Sequence, residues 1–176
     1  TDYCHPCQVL ADLMTIREYK GSFKNLKLCF IGDGNNMANS LIAGCVKTGM
    51  KISVASPSGF KPDEELVKWG EESGLLTLTS DPFEAAENAD VIYTDVWASM
   101  GQEGEAEERK KAFKSYQVND DIMNVAKKDA IVLHCLPAHR GEEITEKVFE
   151  EHASEIFDEA ENRLNAQKAV LVKLLG

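Results

Sequence analysis

Leu26-Lys27-Leu28-Cys29-Phe30-Ile31-Gly32-Asp33-Gly34-Asn35-Asn36-Met37 is the stretch on which the fold turns. Its apolar first half reads as a strand that stops at Gly32. The glycines permit a tight turn, and Met37 to Thr48 carries a helical pattern that Gly49 would end. Strand, glycine turn and helix open a βαβ unit, and the same alternation continues on both sides. Downstream, Lys51 to Ala55 reads as a second strand, closed by Pro57-Ser58-Gly59, and Asp63 to about Gly70 as a helix. Leu75 to Thr79 is a third strand, Asp81 or Pro82 to Ala89 a short helix, Val91 to Thr94 a fourth strand and Ala130 to His134 a fifth. Upstream, Leu10, Leu13, Met14 and Ile16 recur at helical spacing within Val9 to Tyr19.

Strands alternating with helices predict an α/β fold: a parallel sheet of about five strands with helices on both faces, Rossmann-like and doubly wound, with right-handed crossovers. No repeat, low-complexity segment or Pro/Gly-rich linker interrupts it, so residues 1–176 read as one domain. Ligands of such sheets bind beyond the carboxyl ends of the strands. The candidates are Gly32 to Asn36, Ala55 to Gly59, Asp95 to Gly101 and Cys135 to Arg140.

Composition excludes several classes. A formal net charge of -11 argues against nucleic acid, which needs a Lys/Arg footprint. Much of that charge lies in Asp63-Glu64-Glu65 and in Glu103 to Glu108, which read as solvated faces. No apolar run approaches the ~20 residues of a membrane span, and Thr1-Asp2-Tyr3-Cys4-His5-Pro6 lacks the pattern of a signal peptide. The cysteines are Cys4, Cys7, Cys29, Cys45 and Cys135, an odd set with Cys29 and Cys45 inside apolar stretches, which suits a reducing cytoplasm.

Four stretches carry unusual polar chemistry. Gly32-Asp33-Gly34-Asn35-Asn36-Met37 falls short of a dinucleotide fingerprint, because Met37 stands where the third glycine belongs and no acidic residue ends the second strand. A helix amino terminus binds anions by default, and the Asn pair serves equally as turn and cap chemistry. Asp95 and Ser99 together suit an ammonium group, or else a cap and a loop residue. His134-Cys135-Leu136-Pro137 invites a constrained turn, with a cis proline as one option, aiming carbonyls and a thiol into the cleft. Cys4-His5-Pro6-Cys7 has redox or, with Cys135, zinc spacing, but no strand precedes it and no second C-x-x-C supports it.

Taken together, five motifs in order resemble the aspartate/ornithine carbamoyltransferase superfamily, ornithine branch. They are His5-Pro6-Cys7-Gln8 with Leu10-Ala11-Asp12-Leu13, then Gly32 to Asn36, Asp95 with Ser99-Met100-Gly101, His134-Cys135-Leu136-Pro137, and Glu161-Asn162-Arg163. The resemblance implies an enzyme that carbamoylates the δ-amine of ornithine from carbamoyl phosphate, giving citrulline and phosphate without metal or organic cofactor. It assigns His5, Gln8 and the carbonyls around Cys135 and Leu136 to the carbamoyl group, and Arg163 to its carbonyl oxygen, where charge grows. It assigns Asn36, Asp95, Ser99 and the Met100 backbone to the amino-acid end of ornithine, with Cys135 near the δ-amine. Ser99-Met100-Gly101 would form a lid. The family's S-T-R-T phosphate loop has no counterpart here. The expectation is therefore the ornithine-binding half of a longer enzyme, inactive alone. Residues 1–20 would form a connecting helix, and this helix and the last one would pack on a missing amino-terminal carbamoyl-phosphate domain or on another copy. A homo-oligomer, trimeric or a multiple, is the family's habit. Putrescine carbamoyl transfer and a non-catalytic amino-acid-binding module are the alternatives.

Overall fold

The computed structural model describes residues 1–98 and 106–176. Its centre is a sheet of five parallel strands in the order β3-β2-β1-β4-β5: β1 Lys27–Ile31, β2 Lys51–Ala55, β3 Leu76–Thr79, β4 Val91–Thr94 and β5 Ile131–His134. The chain steps outward from β1 to β3, then returns to the other side of β1 with β4. That reversal opens a crevice between the carboxyl ends of β1 and β4, the place where open α/β sheets hold ligands.

Alternate side chains of each strand supply two cores. Leu28 and Phe30 of β1 join Ile52, Val54, Val91, Tyr93 and Leu133 on one face. Helix α1 (Pro6–Lys20) and helix α2 (Asn36–Thr48) cover that face with Val9, Ile16, Leu41 and Ile42. Cys29 and Ile31 point the other way, into a layer with Ile92, Val132, Phe113 and Phe149. A strand covered on both sides has no solvent face, which is why β1, β4 and β5 read as unbroken apolar runs. The edge strand β3 is only partly buried and keeps Thr77 and Thr79.

Local chemistry sets most element ends. Asn35, Asp63 and Asp81 cap α2, α3 (Glu64–Glu72) and α4 (Pro82–Ala86) by accepting from backbone N–H groups of the first turn. Gly49, at φ 75°, closes α2 in the left-handed region where glycine has no steric cost. The fourth helix stops at Ala86, short of the Ala89 expected, and α1 leaves residues 1–5 outside the helix.

The sequence reading assigned no element between Thr94 and Ala130. There the chain forms α5 (Ala106–Phe113), a 3-10 turn (Lys114–Tyr116) and α6 (Asp120–Val125). Glu107 and Glu108 are exposed, as expected of a charge run, but Arg109 beside them is buried. A short α7 (Glu146–Glu151) precedes α8 (Ala153–Leu175), which packs along α1. No helix among the described residues is long and apolar enough to cross a membrane.

Candidate functional site at the carboxyl end of the sheet

Asp95, the first residue past β4, is 6% exposed and is held from two sides. Its Oδ2 accepts from Asn35 Nδ2 at 2.8 Å, and its Oδ1 accepts from the Cys135 thiol at 3.0 Å and from Val96 N at 2.7 Å. The turns after β1, β4 and β5 are thereby tied together at the crevice. Burial pushes the Cys135 thiol well up from its ordinary value, and the Asp95 carboxylate adds to the rise, so Cys135 is a neutral donor there.

Asn35 does two jobs. Its Oδ1 accepts from Met37 N and Ala38 N as the α2 cap, which leaves its amide nitrogen to donate to Asp95. Asn36, the residue expected at the ligand, is half-buried and donates from Nδ2 to the Thr1 carbonyl at 2.8 Å. Below them Asp33 pairs with Arg109 at 2.7 Å, and Arg109 also donates to the Trp97 carbonyl at 3.0 Å. The expected Ser99, Met100 and Gly101 lie outside the described residues, between Ala98 and α5.

His5 immediately precedes α1, and Arg163 lies on α8. Burial first, then the Arg163 guanidinium, holds the His5 ring below its usual value, with Asp95 pulling the other way. The Arg163 and Asp95 charges thus both reach the His5 ring, in opposite senses. Arg163 is half-buried and has no ion-pair partner among the described residues. Gln8, one turn along α1 from His5, is 1% exposed. Its Nε2 donates to Asp12 and Glu159, and its Oε1 is buried without a partner.

The turn after β5 is braced by its own histidine. His134 Nδ1 accepts from Leu136 N at 2.9 Å, so its proton lies on Nε2, facing Glu143 Oε1 at 3.2 Å. Leu136 adopts φ 54° and its bond to Pro137 is cis. Thus His5, Gln8, Asp95, Cys135, Leu136 and Arg163 share one end of the molecule. Asn36 stands at its edge, against the first residue of the chain.

Cys4 and Cys7 are free half-buried thiols, and neither belongs to a group of ligands close enough for a metal among the described residues. One such group is His139, Glu142 and Glu143, within 4.8 Å. Glu142 is engaged there by Lys110, and Glu143 by His134 and the His139 backbone.

Sequence reasoning passed over Asp33, Arg109, Asp12, Tyr93 and Glu159. Asp12 lies in Leu10-Ala11-Asp12-Leu13 and Glu159 just before Glu161-Asn162-Arg163; only burial distinguishes them from surface acids. Arg109 directly follows the Glu103 to Glu108 charge run, and nothing local marks it as the partner of Asp33.

Strand order and crevice define a ligand-binding α/β domain whose site is built from three strand ends and two helices. The family model for the aspartate/ornithine carbamoyltransferase Asp/Orn binding domain matches residues 24–174, and the chain belongs to that family. An ornithine carbamoyltransferase of Archaeoglobus fulgidus is 57% identical over 98% of this chain and 56% of its own length. The crystal structure of the ornithine carbamoyltransferase of Gloeobacter violaceus superposes with a TM-score of 0.91 at 52% identity, covering 100% of this chain and 60% of that one. The anabolic enzyme of Campylobacter jejuni gives 0.92 at 43% identity, over 98% of this chain and 59% of its own. The chain therefore spans 56% to 60% of the length of these relatives.

Proposed function

We propose that this chain is the ornithine-binding half of a carbamoyltransferase that moves the carbamoyl group of carbamoyl phosphate to the δ-amine of L-ornithine. The observation that carries the reading is the Asp95 carboxylate, clamped by Asn35 and Cys135, its charge reaching the His5 ring. A fixed, dry carboxylate suits the α-ammonium of an amino acid, with Asn36, Ser99 and the Met100 backbone completing the amino-acid end. Beside it, the Gln8 Oε1 acceptor and the carbonyls of Cys135 and Leu136 suit a carbamoyl NH2.

The unprotonated δ-amine attacks the carbamoyl carbon. A C–N bond forms, the bond to the phosphate oxygen breaks, and the amine proton departs with phosphate. Cys135 lies near the δ-amine as a neutral thiol, and Arg163 and His5 face the carbonyl oxygen as it gains charge. Placing two bound reactants supplies about 7–11 kcal/mol of such a barrier, which asks for neither metal nor organic cofactor.

The phosphate grip belongs to a separate amino-terminal domain in this reading, with residues 1–20 as the connection. Leu10 and Met14 of α1 and Ala166, Ala169, Val170 and Leu174 of α8 line an open apolar groove of about 420 Å³, and Leu171, Val172 and Leu175 are exposed beyond it. Such a surface supports a body packed against both helices. Free thiols support a cytoplasmic place, and arginine metabolism and a trimer follow from the family reading.

Citrulline formation from ornithine and carbamoyl phosphate tests the proposal, with putrescine in a parallel reaction. The chain is assayed beside a longer protein that joins it to the further length its relatives carry. Citrulline from the longer protein alone is expected. Activity of the 176-residue chain by itself overturns its incompleteness, and turnover of putrescine alone overturns the substrate.

A further inference from the structure

A pair of buried acids lies directly behind the proposed carbamoyl site. Asp12 and Glu159 are both 0% exposed, on α1 and α8. Glu159 Oε1 accepts from Gln8 Nε2 at 3.1 Å and from the Tyr93 hydroxyl at 2.9 Å, and its Oε2 accepts from His134 N at 2.8 Å. Asp12 Oδ1 accepts from Gln8 Nε2 at 2.9 Å. One side chain thus joins the residue before Cys135 on β5, a strand-β4 tyrosine and the α1 glutamine.

We infer that Glu159 and Asp12 are positioning residues that fix the Gln8 amide with its oxygen toward the site, and that Glu159 also holds the start of the His134–Pro137 turn. The inference rests on the carbamoyltransferase reading above and adds residues that reading does not use. Both hydrogens of the Gln8 NH2 are taken, by Asp12 Oδ1 and Glu159 Oε1, and an ionised Glu159 has no hydrogen to offer a reversed amide, so the amide has one orientation left. In it the unpartnered, buried Oε1 is a pure acceptor, which selects an NH2 over a carbonyl or a phosphate oxygen. Two adjacent buried carboxylates cannot both be ionised. Burial, followed by the Glu159 charge and a hydrogen bond to Glu159, pushes the Asp12 carboxyl well up, which places the proton on Asp12. Glu159 then keeps its charge for the Asp12 proton and for the donors of Gln8, Tyr93 and His134.

The assignment predicts an asymmetry between two isosteric substitutions. An amide at 12 reproduces a protonated acid, with one acceptor and one donor. An amide at 159 sets an NH2 against groups that all donate. In the longer protein, Glu159→Gln should raise the KM for carbamoyl phosphate and lower kcat, about tenfold or more together, because a hydrogen bond to a charged group is removed and a donor is left unpaired. The KM for ornithine should stay within about twofold. Asp12→Ala should show the same pattern and Asp12→Asn should restore most of the loss. Equal effects of Asp12→Asn and Glu159→Gln, or a loss confined to ornithine, would overturn the inference. Side-chain amide signals of Gln8, read by nitrogen-15 NMR on the chain itself, supply an arm that does not depend on activity. Slow exchange of both Gln8 Nε2 protons, lost in Glu159→Gln and kept in Asp12→Asn, supports the assignment. Fast exchange in the unsubstituted chain refutes it even if citrulline is made. An unsubstituted longer protein that makes no citrulline, with Gln8 protected, refutes the enzymatic reading alone.

Discussion

Replacing Gly34 by alanine puts the site's first turn to a direct steric test. The Gly34 N–H donates to the Phe60 carbonyl at 2.8 Å, drawing the turn after β1 against residues 60–62. A Cβ at position 34 would lie 2.1 Å from the Lys61 carbonyl carbon, 2.2 Å from Pro62 N and 2.6 Å from the Lys61 oxygen. All three neighbours are backbone, and the shortest contact falls more than 1 Å below the 3.4 Å at which ordinary contact begins. No rotamer change relieves it, so one chain segment must move. Overpacking costs about 1–3 kcal/mol, and a backbone clash belongs at the upper end, or roughly 6–12 °C of melting temperature for a chain of this size. Asn35, the next residue, moves with the turn and loosens its hold on Asp95, so ornithine affinity should fall with stability. Gly49→Ala is the control. Position 49 has φ 75° and nothing within 4 Å, so the cost is backbone conformation alone, about 1 kcal/mol or roughly 2–4 °C. Thermal melts followed by circular dichroism, with ornithine titrations by calorimetry, read both effects. A Gly34→Ala chain that melts no lower than Gly49→Ala would refute the close approach and the rigidity argued from it.

Four further outcomes follow from the same geometry. Asp12, with its folded-state pKa raised above the ordinary 3.8, contributes stability that is present at low pH and lost as pH climbs through the raised value. The urea midpoint of Asp12→Asn should therefore gain on the unsubstituted chain as pH rises, and a constant gap between them would contradict the protonated state. Iodoacetamide at pH 8 should modify Cys135 slowly and Asp95→Asn should speed it, since burial and then the Asp95 charge suppress the thiolate; peptide-like rates by mass spectrometry would rule this out. Asp95→Ala in the longer enzyme should chiefly raise the KM for ornithine, and an equal or larger change for carbamoyl phosphate would reassign the carboxylate. Arg163→Ala should cut kcat by about 10²–10³, the range for one donor at a developing oxyanion; near-normal turnover removes it from that role.

The fold was legible because its strands are short, apolar and punctuated. Lys51 to Ala55 and Val91 to Thr94 occur at the bounds expected, the first set off by Gly49 and Pro57 and the second by Asp90 and Asp95. The segment from Thr94 to Ala130 was not, for a physical reason. Helix α5 presents Glu107 and Glu108 to solvent and hides Arg109, so its composition is that of a charged loop. The site divided in the same way. Asp95 and Cys135 could be placed at strand ends by period alone, and they meet at 3.0 Å. The choice between Asn35 and Asn36 could not be made by period, because it depends on which side chain the α2 cap turns toward β4. Asp12 and Glu159 are separated by most of the chain and become neighbours only when α1 and α8 pack together.

The same packing bears on how this end of the sheet would treat the two substrates of the proposed function. Asp33, Asp95 and Glu159 lie behind or beside the crevice, and Arg109 is spent on Asp33. A zwitterionic amino acid with a cationic side chain loses little by approaching such a surface. A phosphate is repelled by it, and Arg163 is the cation that the described residues of α8 turn toward His5. At an effective dielectric of about 20, one unit charge 4 Å away is worth roughly 4 kcal/mol, so the balance of nearby charges decides which ligand stays. Under the proposed function the phosphate must find its positive charge on another body. The two half-sites would then be complementary in sign: an acidic floor that takes the nucleophile, closed by a basic clamp that brings the carbamoyl donor. Ornithine binding to this chain should accordingly survive without that body, whereas binding of carbamoyl phosphate should require it. Calorimetry on the chain decides this, and carbamoyl phosphate bound as tightly as ornithine would overturn the division of charge.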